Sequence, residues 1–143
     1  MYTSAELLKK HLLFNLSGTL FLVLFGAVYE SFSHGVYSYF MLYAFAIPLV
    51  FGVTLYAVLL CARKHPNRVF LNLWNAAIAT FSAGSVFQGV LEIYGTTNAL
   101  VIVYPIAGTV PAIASFATAF IGRRFSRPAR RTPPYRKTKS PAP

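Results

Sequence analysis

The sequence contains very few acidic residues and almost no cysteine. Glutamate occurs only at Glu6, Glu30 and Glu92, and aspartate is absent from the 143 residues. Without aspartate no Ser-His-Asp triad can form, and no nucleophile elbow is present to offer a glutamate variant of that triad. The single cysteine, Cys61, excludes an internal disulfide and a multi-cysteine metal site. The sequence therefore predicts a non-enzymatic protein with no catalytic residues, no metal site and no cofactor.

Charge of either sign is scarce through most of the chain. Charged residues make up 11% of the sequence and hydrophobic residues 56%, whereas soluble domains carry about 25% charged residues. Between Leu12 and Cys61 the only formal charge is Glu30, and between Val69 and Gly122 it is Glu92. Such long uncharged stretches are typical of chains that have lipid as their solvent. We therefore predict an integral membrane protein.

The apolar residues fall into four segments, at residues 12–29, 36–62, 69–93 and 99–121. A helix needs about 20 residues to cross about 30 Å of hydrocarbon. Barrel strands are excluded because the runs are too long and do not alternate between apolar and polar residues. The sequence predicts an all-α membrane domain over residues 12–122, with four transmembrane helices in an antiparallel bundle. A short amphipathic lead-in at residues 1–11 is expected to lie on the membrane surface.

Basic residues are confined to three places in the chain. They are the N-terminal arm (Lys9, Lys10), the loop between the second and third segments (Arg63, Lys64, Arg68), and the region after the fourth segment, and together these hold all 13. The other two loops have none. By the positive-inside rule both termini are cytoplasmic. With the small size and compact loops, this predicts a multi-pass protein of the bacterial inner membrane.

The C-terminal tail, residues 123–143, is rich in Pro, Arg, Ser and Lys and nearly free of aliphatic residues. Such a composition cannot bury enough apolar surface to order itself, so the tail is predicted to be disordered. A polybasic segment beside a membrane helix is attracted to anionic lipid head groups. The predicted head-group contacts are Arg123, Arg124, Arg127, Arg130 and Arg131. Docking of a protein partner is an open alternative, and no nucleic acid is expected as a partner.

Two short stretches suggest an internal duplication. The sequence FGAVYE ends the first apolar segment at Glu30, and FQGVLE ends the third at Glu92. Tyrosine and proline follow each stretch at similar but not identical offsets. If the duplication is real, the fold consists of two tandem helical hairpins related by a parallel pseudo-repeat about the membrane normal. Chance agreement of two helix ends is the alternative.

Four polar residues are the candidates for an ion, proton or other polar site: Glu30, His34, Glu92 and Asn75. Polar groups at membrane depth are costly and usually face the bundle interior or a wet cavity. Hydrogen bonds that join helices are the structural alternative to a wet pathway. Glu30 and His34 share a helix face only if the first helix continues through Ser33. The question for the structure is whether Glu30 and Glu92 approach each other at the outer mouth.

The fourth segment is dominated by small residues. Gly108 and Ala112, and likewise Ser115 and Ala119, are small-xxx-small pairs that permit close helix packing. The segment is therefore expected to pack inside the bundle or at an interface with a second copy or a larger membrane protein. Two functions remain open: an accessory or scaffold module that associates with itself or another membrane protein, and a small oligomeric transporter or channel with its site at Glu30 and Glu92.

Overall fold

The computed structural model describes residues 4–64 and 66–125, without the side chains of residues 4 and 122–125. Within these ranges every regular element is helical, which confirms the predicted all-α fold. Three helices are long and apolar enough to cross a membrane, at Ala5–Ser31, Arg68–Ile93 and Ala99–Ile121. Large hydrophobic side chains lie exposed along all three. Soluble monomers rarely expose such extensive apolar surface, so the composition and the fold both indicate a membrane protein.

Helix α1 is continuous from Ser4 to Ser31. The expected surface lead-in is therefore the first part of this helix and not a separate element. Leu8 is buried against Tyr56 and Leu71, because its position on the helix turns it toward the neighbouring helices. The charged pair Lys9 and Lys10 stays exposed on the other side of the same turn.

The second apolar segment is not one continuous helix, as predicted for residues 36–62, but a series of short pieces. Helix α2 spans Tyr39–Leu42, a π-helical segment spans Pro48–Thr54, and helix α3 spans Leu55–Cys61. Pro48 has no amide hydrogen to donate to the carbonyl four residues earlier, and its ring clashes with that carbonyl. That residue, Ala44, lies in the break at residues 43–45. Only Pro48–Cys61 remains as an apolar helix, and it is shorter than a full span.

The last two apolar segments match the expected lengths. Helix α4 spans Arg68–Ile93. A 3₁₀ turn, Ala99–Ile102, then leads into helix α5, Val103–Phe125. The Asn98 side chain caps the turn by accepting a hydrogen bond from the Leu100 amide at 2.9 Å. Pro111 lies inside α5 without ending it.

At one end of the bundle, the first turns of α1 and α4 lie together with α3 and the last part of α5. Leu8 of α1, Tyr56 of α3, and Phe70 and Leu71 of α4 form the buried core cluster, with Ala119 of α5 packed against it. The basic residues at positions 9–10, 63–64 and 68 adjoin this cluster in the chain. We call this the basic end of the bundle. The opposite end, where α1 and α4 finish just after their glutamates, is the acidic end.

The second apolar segment runs from the acidic end to the basic end, although it is made of broken pieces. Ser38, before α2, hydrogen bonds to Glu92 at the acidic end, whereas Tyr56 of α3 lies in the cluster at the basic end. The proposed repeat halves differ at this segment. Pro48 begins a π-helical segment, while Pro111 sits within a long α-helix.

Candidate functional site

Four polar side chains from three segments form a hydrogen-bonded cluster inside the bundle. The Asn75 Oδ1 atom accepts hydrogen bonds from Asn15 Nδ2 at 2.8 Å and from the Tyr56 hydroxyl at 3.0 Å. The Nδ2 atom of Asn75 lies 2.6 Å from Nδ1 of His11. Asn15 and Tyr56 are buried, and His11 and Asn75 are partly buried. We call these four residues the Asn75 cluster.

The hydrogen bonds fix the orientation of every group in this cluster. Asn15 Nδ2 also donates to the backbone carbonyl of His11 at 2.8 Å, and a carbonyl can only accept. The Asn75 atom that faces this nitrogen must therefore be the oxygen, which leaves Asn75 Nδ2 facing His11. Since an amide nitrogen can only donate, Nδ1 of His11 accepts. His11 is consequently the neutral tautomer that carries its proton on Nε2.

The local backbone brings the cluster together. His11 and Asn15 are one helical turn apart on α1 and so share a face. Gly52 of the π-helical segment lies directly against the Asn15 side chain, and a Cβ atom at residue 52 would collide with it. The π-helical register places this glycine, rather than a larger residue, at the point where the π-helical segment crosses α1. π-Helical turns often occur at functional positions in membrane and soluble proteins.

A second polar cluster lies at the acidic end. The Ser38 hydroxyl donates to Glu92 Oε2 at 2.6 Å, and Gln88 Nε2 donates to Glu92 Oε1 at 3.2 Å. The first bond joins the segment before α2 to α4. The backbone of Met41 is nearby, where a Cβ atom on Gly89 would lie 2.8 Å from the Met41 amide nitrogen. We call Ser38, Gln88 and Glu92 the Glu92 cluster.

Glu30 is close to this cluster in the fold but makes no hydrogen bond with it. Its Oε1 atom is buried and has no hydrogen-bond partner among the described residues. The side chains of Tyr29 and Tyr94, adjacent to the two glutamate-bearing helix ends, are close enough to interact. The ends of α1 and α4 are thus neighbours, whereas the two carboxylates are not linked directly by any hydrogen bond in the described chain.

His34 does not share a helix face with Glu30. Helix α1 ends at Ser31, and His34 lies in the following turn with a left-handed φ of 54°. The glycine that follows has a φ of 88°, a value that glycine tolerates far better than other residues. His34 is exposed. The condition for a helical Glu30–His34 pair is therefore not met.

Asn75 belongs to the opposite end from the other three candidates. It lies about 25 Å from Glu92 along α4 at 1.5 Å per residue. Its partners are those of the Asn75 cluster. It was a candidate polar residue beside these three, because the helical pattern shows which residues share a face but carries no information on depth.

The sequence pattern did not single out three members of the Asn75 cluster: His11, Asn15 and Tyr56. His11 was placed outside the membrane because it follows two lysines, and Tyr56 is one of several aromatic residues in its segment. The signal for the first two is their i, i+4 spacing on the polar side of α1. Nothing in the sequence pairs them with Asn75, because that contact joins residues from different helices.

The predicted packing residues of the fourth segment lie on the face of α5 that meets α4. Ser115 is fully buried. A Cβ atom on Gly108 would lie 3.0 Å from the Phe81 ring of α4. Ala119 packs against the core cluster, and Ala112 is partly buried. These small residues therefore serve packing within one copy of the chain.

An open groove lies between α2, α4 and the start of α5 at the acidic end. Its volume is about 500 Å³, within the range of sites for small molecules. Apolar and aromatic side chains form most of its wall, among them Phe40, Ile47 and Phe81. Its polar members include Ser85, Gln88 and Asn98. We call it the acidic-end groove.

The described residues contain no group of three or more His, Cys, Asp or Glu side chains that could hold a metal ion. The predicted head-group contacts at Arg127, Arg130 and Arg131 lie outside the described residues. Arg123 and Arg124 lie at the end of α5, without described side chains. No protein-family model, curated protein or solved structure matches this chain. The function must therefore be argued from the geometry alone.

Proposed function

We propose that the protein is a non-enzymatic scaffold module of the inner membrane, which passes the membrane four times and assembles with a second copy of itself through α5. One observation carries this proposal. A row of exposed residues on α5 follows the alternating three-and-four spacing of a heptad seam: Val103, Ile106, Val110, Ile113, Ala117 and Phe120. This spacing is typical of helices that pack against each other in a left-handed coil.

The seam lies on the opposite side of α5 from the face that packs on α4. At about 100° per residue, the seam is centred roughly 180° from the face formed by Gly108 and Ser115. Val110 and Ile113 remain 65% and 70% exposed within the single chain. One helix can therefore pack on α4 and on a second copy at the same time.

The composition of the seam distinguishes it from a surface that faces only lipid. The exposed face of α1 carries bulky side chains, including Phe14, Leu20 and Phe21. The first four residues of the α5 seam are β-branched, and the small, exposed Ala107 and Thr109 flank them. Association of helices in lipid relies on close packing, which small flanking residues permit. This contrast favours α5 over α1 as the contact surface.

The interior of the bundle supports a structural role for the polar residues. Each polar cluster contains a hydrogen bond between segments that are distant in sequence, Asn15 to Asn75 in one and Ser38 to Glu92 in the other. Such side chains satisfy one another's hydrogen-bonding groups. They therefore join helices and need no water. This arrangement favours the interhelical interpretation of these residues over a wet pathway.

We place the basic end on the cytoplasmic side, because Lys and Arg are enriched in cytoplasmic loops. Copies inserted in the same orientation would then have parallel α5 helices, related by a rotation axis along the membrane normal. The basic residues after α5 would contact anionic lipid head groups. A larger membrane protein remains a further partner for this surface, and the pseudo-repeat remains a hypothesis.

The test is the number of subunits in a lipid bilayer, measured by single-molecule photobleaching of the labelled full-length chain. We expect the wild type to form oligomers. The Val110→Phe and Ile113→Phe variants should weaken association about tenfold, since overpacking a tight contact costs on the order of 1–3 kcal/mol. Leu20→Phe, the same kind of change on the exposed face of α1, is the control and should associate as the wild type does. A monomeric wild type would refute the proposal.

A second candidate function is a cation or proton site at the acidic end of an oligomer. The buried Glu30 Oε1 atom without a hydrogen-bond partner in the described chain favours it. Glu92, with His34 near the same end, would complete such a site. Proton and cation flux into liposomes should then be abolished by Glu30→Gln or Glu92→Gln. Absence of flux from the wild-type protein would exclude this function.

A further inference from the structure

We propose that the acidic-end groove holds one acyl chain of a phospholipid whose head group carries an ammonium. The lipid would come from the membrane leaflet at the acidic end. Its chain would lie against the apolar wall of the groove, and its ammonium would lie near the carboxylate of Glu92. The proposal depends on the groove and its charge, and self-association of α5 is not required for it.

The depth of the groove matches one leaflet. From Glu92 down to Phe81, the deepest lining residue on α4, the distance along the helix is about 16 Å at 1.5 Å per residue. Half of a hydrocarbon core of about 30 Å is similar. Phe40, Ile47 and Phe81 line this depth with apolar surface. The dimensions therefore suit an acyl chain that enters from the acidic end and stops near the bilayer centre.

Gln88 lines the groove and connects it to Glu92, which is not itself a lining residue. The Nε2 atom of Gln88 donates to Glu92 Oε1, and the carbonyl oxygen of Gln88 is a further acceptor. Each carboxylate oxygen of Glu92 accepts one hydrogen bond within the chain, and a carboxylate offers about four acceptor positions. Negative charge and spare acceptors together recognise an ammonium group.

No basic residue is available to bind an anionic head group there. Lysine and arginine are absent from residues 12–62 and 69–122. An anionic lipid such as phosphatidylglycerol would therefore place its phosphate near Glu92 without a compensating cation. The opposite end of the bundle has the reverse charge. The two ends of the protein should thus select different lipids.

The groove and the α5 seam use different faces of the same helix. Tyr104 and Pro105 contribute to the groove, whereas Val103, Ile106 and Val110 belong to the seam. A bound lipid would not cover the seam, so either inference can fail without the other.

The test is native mass spectrometry of the full-length protein in detergent with equal amounts of phosphatidylethanolamine and phosphatidylglycerol. Ala99 lines the groove and is exposed, so Ala99→Phe should fill it. The groove occupant is identified as the lipid that the wild type retains and the Ala99→Phe variant loses. Ala107→Phe introduces the same side chain on an exposed position of α5 outside the groove and is the matched control.

We expect the occupant to be phosphatidylethanolamine, preferred about tenfold over phosphatidylglycerol, the scale of one charge-assisted hydrogen bond. Glu92→Gln keeps an acceptor for Ser38 but removes the charge, and should reduce the preference to about twofold or less. Phosphoethanolamine without chains should not be retained. The proposal is overturned if Ala99→Phe and Ala107→Phe retain the same lipids, if the occupant is phosphatidylglycerol, or if Glu92→Gln leaves the preference unchanged.

Discussion

Replacing Asn75 with leucine tests the Asn75 cluster directly. Leucine has the same branching and the same number of side-chain heavy atoms as asparagine, so the change removes hydrogen bonds while keeping the shape of the side chain. The side-chain amide of Asn75 makes three hydrogen bonds, with Asn15, Tyr56 and His11. Interhelical hydrogen bonds in membrane proteins contribute about 0.6 kcal/mol each on average and up to about 1.7 kcal/mol. The expected loss of stability is therefore about 2 kcal/mol, with an upper limit near 5 kcal/mol.

The single tryptophan offers a probe for this measurement. Trp74 is the neighbour of Asn75 on α4 and packs against the rings of Phe70 and Phe116, at centroid distances of 6.2 and 5.3 Å. Its fluorescence should report unfolding of the bundle in mixed micelles as the fraction of a denaturing detergent is raised. The free energy of unfolding follows from the transition midpoint of each variant.

Asn72→Leu is the matched control for Asn75→Leu. Asn72 lies one turn earlier on the same helix and is exposed. The same substitution there should leave the free energy of unfolding within about 0.5 kcal/mol of the wild type, as is usual for surface changes away from packed features. The reasoning is refuted if the two variants unfold together, because the cluster would then contribute nothing to stability.

Two further predictions concern the helix crossing and the orientation. Gly52→Ala should destabilise the protein by about 1–3 kcal/mol, since its Cβ atom would meet the Asn15 side chain. Gly18→Ala, where a Cβ atom meets nothing within 4 Å, should leave the protein unchanged or stabilise it by up to about 1 kcal/mol. Equal unfolding midpoints for the two variants would contradict this account of the crossing. In the Cys61→Ser background, a cysteine at residues 94–99 should react with an impermeant thiol reagent only from outside the cell, and labelling only from the cytoplasm would reverse the proposed orientation.

The sequence was sufficient for the long helices. Length and lack of charge predicted α4 and α5 closely, because one continuous apolar run defines each of them. The same reasoning failed at residues 36–62, where hydropathy is as high but Pro48 prevents one regular helix. Hydropathy measures affinity for lipid and does not report whether the backbone can form every hydrogen bond of an α-helix. Pro48 was the available signal in the sequence.

The polar contacts were harder to predict than the helices. Glu92 was a candidate, but its partner Ser38 lies in a loop with no distinguishing pattern. Asn75 was a candidate, whereas its partners His11 and Asn15 come from a helix whose polar residues are few. Such contacts depend on the rotation and depth of each helix relative to its neighbours. A single sequence gives the rotation approximately and the depth hardly at all.

Disulfide scanning along α5 tests the central proposal of self-association most directly. Single cysteines would be placed at each residue from 103 to 120 of the full-length Cys61→Ser protein in native membranes, and crosslinking between copies measured after mild oxidation. We predict maxima on the seam, at residues 103, 106, 110, 113, 117 and 120, and minima on the face that packs against α4, at Gly108, Ala112 and Ser115. Crosslinking that is absent, uniform, or greatest on the α4-facing side would contradict the proposal.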